Sequence, residues 1–132
     1  MKPDLLLSMR VMALCWLLLA APSTAIAQDA AAGETTFKIC RNCHQIGPNA
    51  QNSVGPMLTG VIGRKSGSVP DYPYSDANRN SGIVWTEEEL TDYLKNPRAK
   101  VPGTKMAFGG LRKEEDIKNV IVYLKQFTSS SN

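Results

Sequence analysis

Between Gln45 and Asn80 the sequence places Gly47-Pro48, Gly55-Pro56, Gly60, Gly63, Gly67, Pro70 and Pro73. Glycine and proline at this density break helices and strands alike. The stretch therefore has room only for tight turns and for one helical turn around "SDANRN". Loops of this length are uncommon inside a compact domain, and a chain of 132 residues builds only a modest core of its own. Something other than side chains is expected to fill the middle.

The flanks are helical. Asp29 is a suitable N-cap for a first helix running to about Cys43, with Gly33, Phe37 and Cys40 on one face. Glycine inside a helix costs about 1 kcal/mol relative to alanine, so Gly33 implies that another helix crosses there closely. Thr86 with Glu89 three residues later reads as a capping box that opens a second helix, stopped before Pro97. A third helix follows Lys113. It carries Glu114, Glu115 and Asp116 in its first turn, where the helix dipole favours them, and Ile117, Val120, Ile121 and Leu124 at helical spacing. Strand signals are few. The expected fold is all-α: a small single domain with three main helices, short helices and long loops.

Residues 1–27 have the layout of a cleaved secretory signal. Lys2 and Arg10 precede an apolar run from Val11 to Ala21, and Ala25-Ile26-Ala27 forms a cleavage site. The rival reading, an uncleaved anchor, lacks a flexible spacer after it. Cys15 lies inside the apolar run, without a lipobox before it. Residues 28–132 then form the exported domain, with a periplasmic location. The net charge of the chain is +3 and no basic block suggests nucleic acid.

The exported part holds two cysteines and the only histidine of the chain, all in "KICRNCHQIG". Cys-x-x-Cys-His, here Cys40, Cys43 and His44, is the attachment signature of c-type haem. Two thiols one helical turn apart reach two edges of one macrocycle, while the next residue points to its centre. A redox dithiol would want a βαβ context, which is lacking. A zinc site would want a second ligand pair, and a buried structural pair leaves His44 unexplained.

With a single histidine, a second histidine ligand within the chain is excluded. The sixth iron position falls to methionine, another side chain, water or nothing. Met57 follows Gly55-Pro56 soon after His44 and reads as a packing residue. Met106, in the loop "VPGTKMAFGG", is far enough along the chain to wrap to the other face and is the favoured candidate.

The motifs "CRNCH", "VGPMLTGVIGRKSG", "YSDANRNSGIVW", "YLKNPRAKVPGTKMAFGG" and "VIVYLKQF" occur in the order of the class I c-type cytochromes, and from Gly33 to Phe127 the chain resembles their bacterial cytochrome c2 and mitochondrial types. The resemblance implies one covalently bound haem c with His44 and Met106 as axial ligands. It also implies first and last helices that cross at Gly33, Phe37 and Tyr123, and a Pro56 carbonyl that accepts the His44 ring N–H. Arg64, Tyr74, Asn78, Trp85 and Thr104 fall at positions associated with the haem propionates and buried polar contacts, and Tyr93 near the Met106 sulfur. Two departures stand out: Ile39 and Arg98 take places where mitochondrial members commonly have lysine. The basic docking ring is thus partial, with Arg41, Lys65, Arg98, Lys100, Lys105, Arg112 and Lys113 as its candidates.

What the resemblance implies is a soluble, monomeric periplasmic one-electron carrier, not an enzyme. Its implied partners are membrane redox complexes, a cytochrome bc1-type donor and a terminal oxidase or photosynthetic reaction centre as acceptor. If Met106 does not bind iron, the alternative is a haem peroxidase or sensor. If no haem is attached, it is a dithiol or metal-binding protein.

Overall fold

The computed structural model describes residues 24–128; most of the expected signal segment lies outside them. Five helices follow in order: α1 (Thr24–Phe37), α2 (Asp76–Asn80), α3 (Glu87–Lys95), α4 (Pro97–Lys100) and α5 (Glu114–Lys125). A 3₁₀ turn at Cys40–Asn42 follows α1. The expected all-α class holds. The described residues contain no strand beyond an isolated antiparallel bridge of Lys65 to Val84, and no helix long and apolar enough to cross a membrane.

The first helix differs from expectation at both ends. It starts at Thr24, so Asp29 lies inside it instead of capping it, because the alanine-rich stretch before it is itself a strong helix former. It stops at Phe37, and Cys40 falls in the tighter 3₁₀ turn. Pro97 does end α3, but it also begins α4, since the fixed φ of proline suits a first helical position. The box at Thr86 forms by half. The Glu89 N–H donates to Thr86 Oγ1 at 3.2 Å, whereas the Thr86 N–H donates to the Val84 carbonyl at 2.7 Å and the Glu89 carboxylate reaches Lys100 instead.

α1 packs on α5. A Cβ added at Gly33 would lie 2.8 Å from the Tyr123 Cβ and would collide with the Asn119 carbonyl, so only glycine allows the two backbones to approach as they do. Phe37 and Tyr123 meet at this crossing with ring centroids 5.2 Å apart. Both are buried, as are Ile117, Val120, Ile121 and Leu124 of α5. Replacing Gly33 with alanine is expected to lower stability by about 1–3 kcal/mol through overpacking, read as an earlier guanidinium midpoint.

The long loops are tied down by hydrogen bonds to distant backbone. The Gly63 N–H donates to the Trp85 carbonyl at 2.9 Å, Trp85 returns a bond to Arg64 at 2.9 Å, and Ser66 donates to Ile83 at 2.8 Å. Ser75 caps α2 by accepting from the Asn78 N–H. These bonds fix Arg64, Asn78 and Trp85 in place around the interior.

Candidate functional site

The core is hollow. A cavity of about 450 Å³ opens within it, and Phe37, Trp85, Leu90, Tyr93, Leu94 and Leu124 belong both to the core and to the cavity wall. That volume is in the range of pockets that take a large organic ligand. Every haem-site candidate named from the sequence, Cys40, Cys43, His44, Pro56, Arg64, Tyr74, Asn78, Trp85, Tyr93, Thr104 and Met106, lines this one cavity, whereas Met57 does not.

The attachment turn brings its groups in together. His44 donates its backbone N–H to the Cys40 carbonyl at 2.9 Å and Cys43 does so at 3.1 Å, which closes the turn. Imidazole Nδ1 lies 2.7 Å from the Pro56 carbonyl oxygen. A carbonyl only accepts, so Nδ1 carries the proton and Nε2 keeps its lone pair for a metal. Burial pushes the imidazole below its usual range, and the neighbouring Arg64 charge adds to this, so the ring is held neutral as a ligand must be. Gly55 packs against the face of that ring, where a Cβ would run into it.

The two cysteines are not joined to each other. Burial first, and Cys43 second, push the Cys40 thiol up to about 11. A redox-active dithiol works through a lowered thiol, so this environment disfavours exchange chemistry. Among the described residues, no three His, Cys, Asp or Glu side chains gather into a metal-binding group.

Across the chain, the loop after α4 delivers Met106. The Tyr93 hydroxyl donates to Met106 Sδ at 3.1 Å and lies 3.4 Å from Thr104 Oγ1. Burial raises the Tyr93 phenol above its usual range, so it stays protonated as a donor. The Trp85 and Tyr93 rings pack 4.7 Å apart. Arg64 is half-buried and donates to the carbonyls of Thr59 at 3.1 Å and Met57 at 2.9 Å. No carboxylate among the described residues pairs with it, and burial disfavours its charge. A cation in that position calls for an anion in the cavity.

Sequence reasoning missed Tyr72. Its ring meets that of Tyr74 edge-on at 4.8 Å, and its hydroxyl donates to the Val54 carbonyl at 2.6 Å, closing the wall between two loops; the "YPY" spacing is the only sequence signal for it. Ile39 and Val54 line the cavity yet are 53% and 72% exposed, so the cavity has an apolar lip open to solvent.

Two thiols on a turn, an adjacent imidazole with a free nitrogen, a thioether and an unpaired half-buried cation together fit a haem, which Cys40, Cys43, His44 and Met106 would hold. This fold and this constellation define a class I c-type cytochrome. The Cytochrome c family profile matches residues 30–128, and the chain belongs to that family, which carries covalently bound haem c and serves electron transport. It is 50% identical over 117 residues to cytochrome c2 of Blastochloris viridis, covering 89% of this chain and 92% of that one. It is 56% identical over 98 residues to cytochrome c-550 of Bradyrhizobium diazoefficiens, covering 74% and 72%. Among solved structures, cytochrome c2 from Rhodospirillum centenum superposes with a TM-score of 0.73 at 41% identity, covering 76% of this chain and 99% of that one.

Proposed function

We propose that the chain is a periplasmic one-electron carrier whose iron is held by His44 and Met106, exported with loss of residues 1–27. The observation that carries this reading is that the neutral His44 imidazole and the Met106 thioether, from segments far apart in sequence, line the same cavity. Bound there, haem supplies a one-electron couple. The chain's own part would be to hold the group with His44 and Met106, exclude water and tune the couple. So held, it would leave no open place for a substrate, and the chemistry supplied would be one-electron transfer at the cavity's open edge.

That edge has an apolar lip, Ile39 and Val54, with Lys105 beside it in the cavity wall. Of the cations considered for docking, Arg41 pairs with Glu34 at 3.2 Å and Lys100 with Glu89 and Asp92. Among the described residues no carboxylate pairs with Lys65, Arg98, Lys105, Arg112 or Lys113, which leaves these to steer encounter. The partners proposed are membrane redox complexes, a cytochrome bc1-type donor and a terminal oxidase or photosynthetic reaction centre as acceptor. Mass spectrometry of the periplasmic fraction should find a chain that starts at Gln28.

The test of ligation is the optical spectrum, oxidised and then reduced. A sharp reduced α-band with a far-red sulfur-to-iron band in the oxidised form is the expected result; the α-band alone would overturn methionine ligation. Tyr93→Phe gives a finer check. Without the O–H donor the thioether donates more strongly to the oxidised metal, so the midpoint potential falls. A hydrogen bond of ordinary strength corresponds to about 20–60 mV, measured by redox titration.

A further inference from the structure

Lys100 ends α4, just before the loop that carries Thr104 and Met106. Its ammonium lies 2.8 Å from Glu89 Oε2 and 3.3 Å from Asp92 Oδ2, both on α3. Unlike the other paired cations, whose side chains are 46–51% exposed, Lys100 is only 26% exposed. Glu89 Oε2 is shielded from solvent and takes no hydrogen bond, so among the described residues the Lys100 charge is its compensation. Removing one partner of such a shielded pair costs more than removing an open surface pair.

The same helix holds the rest of the loop. Tyr93 of α3 donates to Met106 Sδ, and the Leu94 carbonyl accepts from the Leu111 N–H at 2.7 Å. The segment is therefore fastened to α3 at its entrance, at its sulfur and at its exit. Of these three fastenings the entrance alone is made of charge; beyond the exit, Lys95 of α3 pairs with Glu114 at 3.4 Å.

We propose that Lys100, Glu89 and Asp92 form an ionic clip that holds the Met106 loop on α3 and sets how often the methionine leaves its seat. This rests on Met106 as the distal ligand. Lys100 is then a positioning residue: it acts through the loop and withdraws its charge from the docking face.

The test uses the ferric holoprotein and the rate at which cyanide displaces the methionine, which is limited by opening of the loop. K100M keeps the stem and loses the charge; it should bind cyanide about three- to tenfold faster, as expected for one partly shielded pair, to Glu89, and one open pair, to Asp92, whose side chain is 55% exposed. E89Q/D92N, which removes the opposite charges and leaves the Thr86 cap, should do the same, and K100R should restore a rate near that of the unaltered protein. K125M is the control, because Lys125 pairs with Glu87 of α3 at 2.6 Å and has no part in the loop. It should lower the guanidinium midpoint without changing the cyanide rate. If K100M stays within about twofold of the unaltered protein, or if K125M accelerates binding equally, the clip is overturned while methionine ligation stands. If the unaltered protein lacks the far-red band and binds cyanide at once, the ligation reading fails and the clip with it.

Discussion

Without its covalent group the chain loses most of its helical circular-dichroism signal at 25 °C. The C40A/C43A variant, which cannot form either thioether, is the sample to measure. The reason lies in the cavity wall. Phe37, Trp85, Leu90, Tyr93, Leu94 and Leu124 are core residues that face the cavity, so an empty interior deprives the core of contact on one side. Residual cavity costs about 24 cal/mol per Å³. Applied to about 450 Å³, this gives roughly 11 kcal/mol, an upper bound because the walls can collapse, yet as large as the roughly 5–15 kcal/mol that stabilises a whole domain. The α1 and α5 crossing itself borders the cavity through Phe37 and Leu124, and two helices of this length are not stable alone. A cooperative thermal transition with full helical content in the variant would defeat the claim.

The second large effect follows from replacing Met106 with alanine. Among the residues that line the cavity there is no second thioether or imidazole: Tyr93 is held protonated by burial, and Met57 does not line the cavity. The variant should keep a reduced haem α-band, lose the far-red band and shift to a lower midpoint potential, since a thioether favours the reduced metal. Cyanide association should rise by about a hundredfold, the equivalent of removing ~2.7 kcal/mol of barrier. Peroxide should react as well, turning a carrier into a slow peroxidase. An unchanged cyanide rate would mean that Met106 was not the ligand.

Much of the site was legible because its chemistry sits in residue types with few other uses. A lone histidine after Cys43, and a methionine in a Pro- and Gly-bounded loop, leave few roles to choose among. α5 was legible for a different reason, since its apolar residues follow a single helical period and its acids sit in the first turn. The start of α1 was not, because Asp29 is a good cap only if helix does not already precede it, and alanine-rich sequence carries no stop signal. α4 was hidden by the double meaning of proline, a stop for one helix and a start for the next. The role of Lys100 was out of reach in principle. A lysine in a basic stretch reads as a surface charge, and only the packing of α4 against α3 brings Glu89 and Asp92 to it. Tyr72 and the apolar lip escaped likewise, because cavity walls are assembled from segments far apart in sequence.

The packing of α1 on α5 has a consequence in time. The first described helix finds its partner only in the last, so the fold closes across a loop that spans most of the domain, and such long-range closure is slow. Until α5 has been made and has docked, the turn bearing Cys40 and Cys43 hangs from an unsupported helix, with both thiols open to a modifying enzyme. Once α5 docks, Arg41, between the two cysteines, is tied to Tyr123 by a 3.0 Å hydrogen bond, and the turn is drawn inward. Because the haem-free chain does not hold this packing, the turn stays open for attachment until the group is in place, and the docking of α5 then closes over it.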